Sequence, residues 1–321
     1  MTSVLLTIDT ELSPAAHQRG VSAQDNFTRS ILGQASNGER GIAYQAGHLK
    51  AHGLKGVFFV EALSASIFGL DQLKRTIEPV LSYGSEVQLH IHTEWLSWFE
   101  RDPVSGRRGG NMADFSHDDQ CRLLELGIEN LMRAGAPRPI AFRAGNYGAN
   151  NDTLRALATV GIKYDTSYNY PYLGAACKIA TDAPLLDPHA VQGTIEVPVA
   201  VFEDYPNHQR PAQLCAVSSS EMRQLLKQSV TQGRRATVIV SHSFELLNHS
   251  RTMVNRIVER RFEQLCEMLQ AMRGRAQTKG FSELDQLDLT TPAARTAPLR
   301  SNAWRTAWRM MEQAAGRVLY R

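Results

Sequence analysis

Short apolar runs alternate with longer amphipathic stretches along most of the chain. The apolar runs are β-branched or leucine-rich, which is typical of buried strands. They predict strands over residues 3–8, 56–60, 86–90, 140–143, 163–166, 196–201 and 236–241. Apolar residues at helical spacing predict helices over residues 41–52, 70–83, 118–134, 151–160, 219–233 and 253–273, with an interruption of the second near Pro79. This alternation predicts an α/β fold with a parallel sheet closed by helices.

Three segments depart from this alternation. Residues 12–37 and 95–116 are long and follow strands that end in polar residues, so each is either a lid over a site or a mobile surface loop. Residues 170–213 are punctuated by proline and predict a small β excursion. After residue 289 the composition shifts to Thr, Pro, Ala and Arg. We therefore divide the chain into a body over residues 1–290, a linker over 291–300 and a helical tail over 301–321.

Composition limits the function only loosely. The chain has 321 residues, of which 43% are hydrophobic and 21% charged, as in an ordinary soluble globular protein. A net charge of +3 does not indicate a nucleic-acid partner. Four widely scattered cysteines argue against a zinc ribbon or a disulfide framework and suit a reducing compartment. With no cleavable apolar leader and no bilayer-length apolar run, the expected location is the cytoplasm.

Candidate chemistry lies where the apolar runs end. Asp9 and Glu11 are two residues apart, so in a strand both point to one face, where a cation or a shared proton would offset their repulsion. The alternative is helix capping or a surface loop. His90 and His92 share a face in the same way and can chelate one ion, with Glu94 as a further oxygen ligand. The alternative for these histidines is a satisfied structural role at a strand end.

Two further side chains end strands. His242 follows an apolar run, where a lone histidine is often structural. Arg143 ends another strand, and a buried arginine needs a carboxylate partner, for which Asp9 and Asp165 are candidates. Because the carboxyl ends of parallel barrel strands assemble active sites, we expect one site built from distant parts of the sequence.

The order of these clusters resembles that of the polysaccharide deacetylases of the NodB-homology type, a family of carbohydrate esterases. Residues 7–10 (TIDT) are similar to the family's Thr-Phe-Asp-Asp motif, and residues 84–90 (GSEVQLH) to its Gly-His-Glu-Ile-Gly region. Residues 143–148 (RAGNYG) are similar to its Arg-x-Pro-Tyr-Gly turn. The segments 149–154, 161–165, 195–198 and 239–242 follow in the family's order, so the resemblance covers residues 3–290.

The resemblance implies a distorted (β/α) barrel and a metal-dependent hydrolase that removes acetyl groups from an N-acetylated sugar or polysaccharide precursor. It also implies a divalent ion, for which we expect zinc, and a place in bacterial surface-glycan synthesis. The roles it implies are a general base for Asp9, a first metal histidine for His90, and an arginine orienting the base for Arg143. Tyr147 matches the turn residue whose backbone stabilises the oxyanion, and His242 matches the general acid.

Two departures from the family pattern affect the metal site. Thr10 stands where the family has a metal-binding aspartate, so Glu11 is the expected replacement. Glu94 stands where the family has its second histidine, four residues after the first. The ungapped alignment favours Glu94 as the ligand and the chemistry favours His92; we choose His92. The departures leave open a hydrolase of small amides or ureides on the same scaffold, or a non-catalytic barrel that binds glycan or a partner.

Aromatic residues and the tail provide two further expectations. Trp95, Trp98 and Phe99 follow the histidine strand and can offer ring faces to a sugar. In the tail, an apolar stripe at helical spacing lies beside a basic surface on which Glu312 is the one acid. The stripe consists of Trp304, Trp308, Met311, Ala315, Val318 and Leu319. It either packs on the barrel or docks peripherally on an anionic membrane or an acidic partner.

Overall fold

The protein is described here by a computed structural model, which covers residues 1–105, 109–285 and 297–320. The strands are β1 Thr2–Thr10, β2 Gln34–Ala35, β3 Gly38–Glu39, β4 Val57–Glu61, β5 Glu86–Ile91, β6 Ala141–Ala144, β7 Tyr164–Asp165, β8 His189–Val191, β9 Thr194–Glu196, β10 Val201–Tyr205, β11 His208–Pro211, β12 Ala236–His242, β13 Ala276–Thr278 and β14 Leu299–Arg300. The helices are α1 Pro14–Gln18, α2 Ala23–Ser30, α3 Ile42–Ala51, α4 Ala65–Phe68, α5 Leu70–Ser82, α6 His117–Arg133, α7 Asn151–Thr159, α8 Ser219–Thr231, α9 Arg256–Ala271 and α10 Ala303–Leu319.

The main sheet runs in the order β12-β1-β4-β5-β6-β7-β9-β8, with β13 also paired to β1. Its strands from β12 to β9 are parallel, and the antiparallel hairpin β8–β9 ends it. After β9 the chain returns to the far edge, where Val199 bridges Val238 of β12. The sheet therefore curls into a distorted (β/α) barrel, as the sequence predicts.

The pleat of each strand decides which side chains enter the barrel. In β1, Val4, Leu6 and Ile8 pack outward in the core shared with the helices, whereas Leu5 packs inward. Because side chains alternate along a strand, Asp9 shares the inward face of Leu5. The same alternation operates in β5, whose Val87, Leu89 and Ile91 face the helices. Polar residues at the alternate positions are thus carried to the inner, carboxyl end of the barrel.

The predicted helices and strands agree with the structure at most positions and differ at two. Helix α5 runs through Pro79 without interruption. Leu73, Ile77 and Val80 bury its inner face, and this packing outweighs the loss of one backbone hydrogen bond. The strand predicted over residues 196–201 is wrong, because β9 ends at Glu196 and β10 begins at Val201 in another sheet. Pro198 lies in this gap and cannot donate to a ladder.

The long segments are largely packed structure. Residues 12–37 contain α1, α2 and β2, and Phe27 of α2 is fully buried. Residues 95–116 bury Val104, Met112 and Phe115, while 106–108 lie outside the described residues. The excursion over 170–213 contains the hairpins β8–β9 and β10–β11. Most of the predicted linker also falls outside the described residues, and its last two residues form β14 beside β10.

The tail forms the predicted helix, α10, and of the two alternatives for its apolar stripe, packing on the barrel is not the one observed. Trp304, Trp308, Met311, Val318 and Leu319 are all exposed. The buried residues of the helix are Thr306 and Arg309, on the opposite face. In the part of the chain that the structure describes, no helix combines the length and apolarity needed to cross a bilayer.

Candidate active site

A cavity of about 340 Å³ opens at the carboxyl ends of the parallel strands. Its wall includes Asp9, Glu11, His90, His92, Tyr147 and His242. These residues come from the ends of β1, β5, β6 and β12, which lie side by side except that β4 separates β1 from β5. The structure thus brings together the side chains that the sequence presents as separate clusters.

Glu11, His90 and His92 converge on one point of this cavity. One carboxylate oxygen, Oε2 of Glu11, lies 3.0 Å from Nε2 of His90 and 2.6 Å from Nε2 of His92. One potential ligand atom from each residue lies within 4.8 Å of the others. Burial alone would raise the pKa of Glu11, but the two imidazoles outweigh it and hold that pKa well below its ordinary value. A positive charge at this point is therefore stabilised.

The hydrogen bonds behind the histidines orient them as metal ligands. Nδ1 of His90 donates to the carbonyl oxygen of Arg143 at 2.7 Å, and Nδ1 of His92 donates to Oε2 of Glu94 at 3.2 Å. Since both acceptors lack a proton to give, each Nδ1 carries the hydrogen and each Nε2 is left to face Glu11. Two imidazoles and one carboxylate form a donor set suited to zinc. The residues present thus fit a divalent ion.

Thr10 and Glu94 do not join the convergent group. Thr10 is buried, and its hydroxyl donates to the carbonyl of Ile8 at 3.1 Å on the other side of β1. Glu94 contacts His92 from behind, and its Oε1 accepts a hydrogen bond from Asn146 at 2.9 Å. This geometry places Glu94 as the partner that orients His92 and leaves Glu11 as the carboxylate at the point of convergence.

Asp9 lies between a buried cation and an imidazole. Its Oδ1 accepts a hydrogen bond from Nη1 of Arg143 at 2.6 Å, and its Oδ2 is 4.0 Å from Nε2 of His242. Arg143 is fully buried and also stacks over the ring of Phe59, 4.6 Å from its centroid. An unpaired charge is costly at such a site, and Asp9 supplies the carboxylate that pairs with Arg143. Of the two candidate partners for Arg143, the structure selects Asp9.

Glu245 is a site residue that the sequence reasoning missed. Its Oε2 accepts a hydrogen bond from Nδ1 of His242 at 3.0 Å, and its Oε1 accepts one from the backbone of Cys215 at 2.8 Å. Burial alone would lower the pKa of His242, but the bond to Glu245 and the charges of Glu245 and Asp9 raise it to about 9. The available signal was a carboxylate three residues after a histidine at a strand end.

The turn after β6 is strained and tightly packed. Asn146 and Tyr147 have φ values of 56° and 57°, a left-handed conformation that costs non-glycine residues about 1–2 kcal/mol each. Gly145 precedes them, and a Cβ at this position would lie 2.8 Å from Cγ and Nδ1 of His92. Only glycine allows the turn to approach the histidine this closely. Such strained, over-determined turns are common at functional sites.

The aromatic surface of the cavity comes from residues other than those expected. Trp95 is fully buried and packs against Trp98 and Phe68, so it has no face to offer a ligand. The tyrosines at the mouth lie with ring centroids 5.4 Å apart, one from Tyr147 and the other from Tyr172, which is 39% exposed. The aromatic surface at the cavity therefore comes from these two tyrosines rather than from the tryptophans.

Asp165, the other candidate partner for Arg143, does not line the cavity. The side chain is fully buried, accepts hydrogen bonds from the backbone and hydroxyl of Ser167, and hydrogen-bonds the carboxyl of Glu196. Burial and the nearby charge of Asp165 raise the pKa of Glu196 well above its ordinary value. The raised pKa of Glu196 favours its protonated form beside Asp165, and the side-chain partners of Asp165 are Ser167 and Glu196 rather than Arg143.

Comparison with known proteins supports the fold. The sequence matches no protein-family model and no curated protein. The structure is similar to that of a Mycobacterium smegmatis protein assigned as a polysaccharide deacetylase, with a TM-score of 0.56, 18% identity, and coverage of 92% of this chain and 94% of that one. The chain therefore has the polysaccharide deacetylase fold that its motifs predict.

Two further solved structures are more distant. A family 4 carbohydrate esterase from Streptomyces lividans has 11% identity, a TM-score of 0.41, and coverage of 92% of this chain and 98% of that one. A peptidoglycan deacetylase from Bacillus subtilis has 13% identity, a TM-score of 0.40, and coverage of 89% and 90%.

Proposed function

We propose that the chain is a metal-dependent hydrolase that removes acetyl groups from an N-acetylated sugar or polysaccharide precursor. The observation that carries this proposal is the convergence of Glu11, His90 and His92 within one cavity beside Asp9 and His242. A ligand group for a divalent ion, a carboxylate base and a histidine acid are the parts that amide hydrolysis requires. We further propose that this activity serves bacterial surface-glycan synthesis.

Glu11, His90 and His92 would hold the ion, and we propose zinc. The bound ion would polarise the acetyl carbonyl and lower the pKa of water. Glu94 fixes the ring of His92, and the carbonyl of Arg143 fixes that of His90, so both imidazoles are oriented before any ligand arrives. Glu11 supplies the carboxylate that Thr10 does not.

Asp9 is the proposed general base. It takes a proton from the attacking water as that water's oxygen bonds to the acetyl carbon. Arg143, at 2.6 Å, holds one oxygen of Asp9 and leaves the second oxygen, Oδ2, on the side of His242. The buried arginine therefore positions the base without contacting the substrate.

His242 is the proposed general acid. The tetrahedral species collapses to acetate and an amine only if the departing nitrogen receives a proton. With a pKa of about 9, His242 carries that proton at neutral pH, and Glu245 holds Nδ1 so that Nε2 faces the cavity. The backbone of the strained turn at Tyr147 is proposed to stabilise the oxyanion.

The cavity favours a sugar over a small amide or ureide. It is open at the mouth, where Tyr147 and Tyr172 present aromatic surface of the kind that packs on sugar rings. A hydrolase of small amides would instead enclose its substrate. Small ureides are therefore included among the test substrates, so that hydrolysis of a small amide would be detected.

The test is acetate release from N-acetylated oligosaccharides, nucleotide-linked and lipid-linked N-acetyl sugars and small ureides, with and without chelator. We expect one divalent ion per chain by elemental analysis, and chelator-sensitive release from a sugar substrate. His90→Ala should lose both the ion and turnover, whereas His189→Ala, at an exposed position outside the cavity, should lose neither. Full metal content and full turnover in His90→Ala would refute the site. A wild-type protein that binds sugar but hydrolyses none of the panel would support a non-catalytic barrel.

A further inference from the structure

Helix α10 is attached to the barrel by its polar side. Arg309 is 1% exposed, and its Nη2 lies 2.6 Å from Oδ2 of Asp204 while its Nε lies 3.1 Å from Oε2 of Glu221. The hydroxyl of Thr306 donates to the carbonyl of Asp204 at 3.1 Å. A buried charge network is directional, so it fixes the rotation of the helix about its axis.

This rotation turns the apolar stripe away from the protein. Trp304 is 86% exposed, Trp308 56%, Val318 76% and Leu319 62%. Met311 is also exposed and lies between them on the same face. Soluble proteins rarely leave so many large apolar side chains contiguous on one surface, and such patches mark an interaction site.

Positive charge borders the stripe. Trp308 and Arg305 line a groove of about 840 Å³ between α8, α9 and α10, together with Arg223, Lys227 and Arg260. Within the described parts of the chain, none of these four cations forms an ion pair. Glu312, the acid at the edge of the stripe, is occupied by Arg261 at 2.6 Å and by the indole N–H of Trp308 at 2.9 Å.

We propose that this face of α10, with the basic groove beside it, docks the protein on an anionic membrane surface. Apolar side chains that include two tryptophans would enter the interface between headgroups and acyl chains, and the flanking cations would contact lipid phosphates. A second copy of the chain is the less suitable occupant, because pairing this face with itself would bring the unpaired cations together. The ion-paired polar side keeps the helix on the barrel while the apolar side is buried in lipid.

The test is flotation of the intact protein with vesicles of phosphatidylcholine alone or mixed with phosphatidylglycerol. We expect binding to the mixed vesicles, weaker binding to phosphatidylcholine, and weakening of the former as salt rises. The double variant Trp304→Glu and Val318→Glu should bind at least about tenfold more weakly, because burial of one large apolar side chain in lipid contributes about that factor to the affinity. Met132→Glu, at another exposed apolar position, is the matched control and should bind normally.

A second variant separates the charge contribution. Arg223→Glu combined with Lys227→Glu should reduce binding to anionic vesicles and remove most of its salt dependence. Thermal unfolding of each variant should match the wild type, because all of the altered side chains are exposed. Absence of binding by the wild type, or binding unaffected by the Trp304 and Val318 changes, would overturn the proposal. A dimer in solution that the same double variant dissociates would overturn it in favour of self-association.

Discussion

Replacing Gly145 by alanine tests the geometry of the proposed metal site without altering any ligand. A Cβ at this position would lie 2.8 Å from Cγ and Nδ1 of His92 and 2.8 Å from the carbonyl oxygen of Ile91. Ordinary contacts begin at 3.4 Å, so the neighbours must retreat by about 0.6 Å. The Ile91 carbonyl belongs to β5 and cannot move alone, so the displacement falls mainly on the His92 ring.

Gly145→Ala should lower both the stability of the protein and its affinity for metal. Overpacking of this kind costs about 1–3 kcal/mol of unfolding free energy. Moving His92 also breaks two of its contacts. Its Nδ1 lies 3.2 Å from Oε2 of Glu94, and its Nε2 lies 2.6 Å from Oε2 of Glu11. Loss of such orienting contacts lowers metal affinity by roughly 10–100-fold. Gly145→Ala should therefore bind zinc more weakly by that factor and hydrolyse correspondingly less substrate at limiting metal.

Competition with a chromogenic chelator measures the affinity, and urea denaturation measures the stability. Gly110→Ala is the matched control, because a Cβ there meets no atom within 4 Å although the Gly110 carbonyl also contacts the turn through Asn146. A Gly145→Ala protein with wild-type metal affinity and stability would refute the claim that this turn holds His92 in place.

Three further predictions concern the buried charges. Asp9→Asn should lower turnover about 10²–10⁴-fold in acetate-release assays. Because the change leaves Arg143 without its carboxylate, the free energy of unfolding measured in urea should fall by about 3–5 kcal/mol. Unchanged stability would contradict the pairing of Asp9 with Arg143. His242→Gln should slow the hydrolysis of amides more than that of activated esters, and equal losses on both would exclude a general acid. For the wild type, kcat/KM should fall as pH rises through about 9, where His242 loses its proton. Burial and the charge of Asp165 raise the pKa of Glu196 in the folded protein, so its contribution to stability is complete below its ordinary pKa of 4.5 and declines as pH rises through the folded pKa. Glu196→Gln should flatten that decline in thermal unfolding, and an unchanged slope would contradict the raised pKa.

The sequence alone determined the fold class and most of the side chains that line the cavity. Strand periodicity is local, so spacing of two residues was enough to put Asp9 with Glu11 and His90 with His92 on shared faces. Parallel strands bring their carboxyl ends together, so the order of the polar clusters was enough to predict one cavity. The distorted barrel is what the resemblance to the polysaccharide deacetylases implies, and the comparison with a solved structure confirms it.

Only the tertiary structure decided which partner each of these groups would have. Glu94 contacts Nδ1 of His92, Asp9 rather than Asp165 pairs with Arg143, and Glu245 contacts His242. The sequence does not specify these pairs, because the distances between them depend on how separate strands and turns pack. The rotation of α10 was decided in the same way. Its amphipathic pattern fixed an apolar face, but the buried pairing of Arg309 with Asp204 and Glu221 turned that face outward. Local periodicity specifies which residues share a face, and long-range charge pairing specifies where that face points.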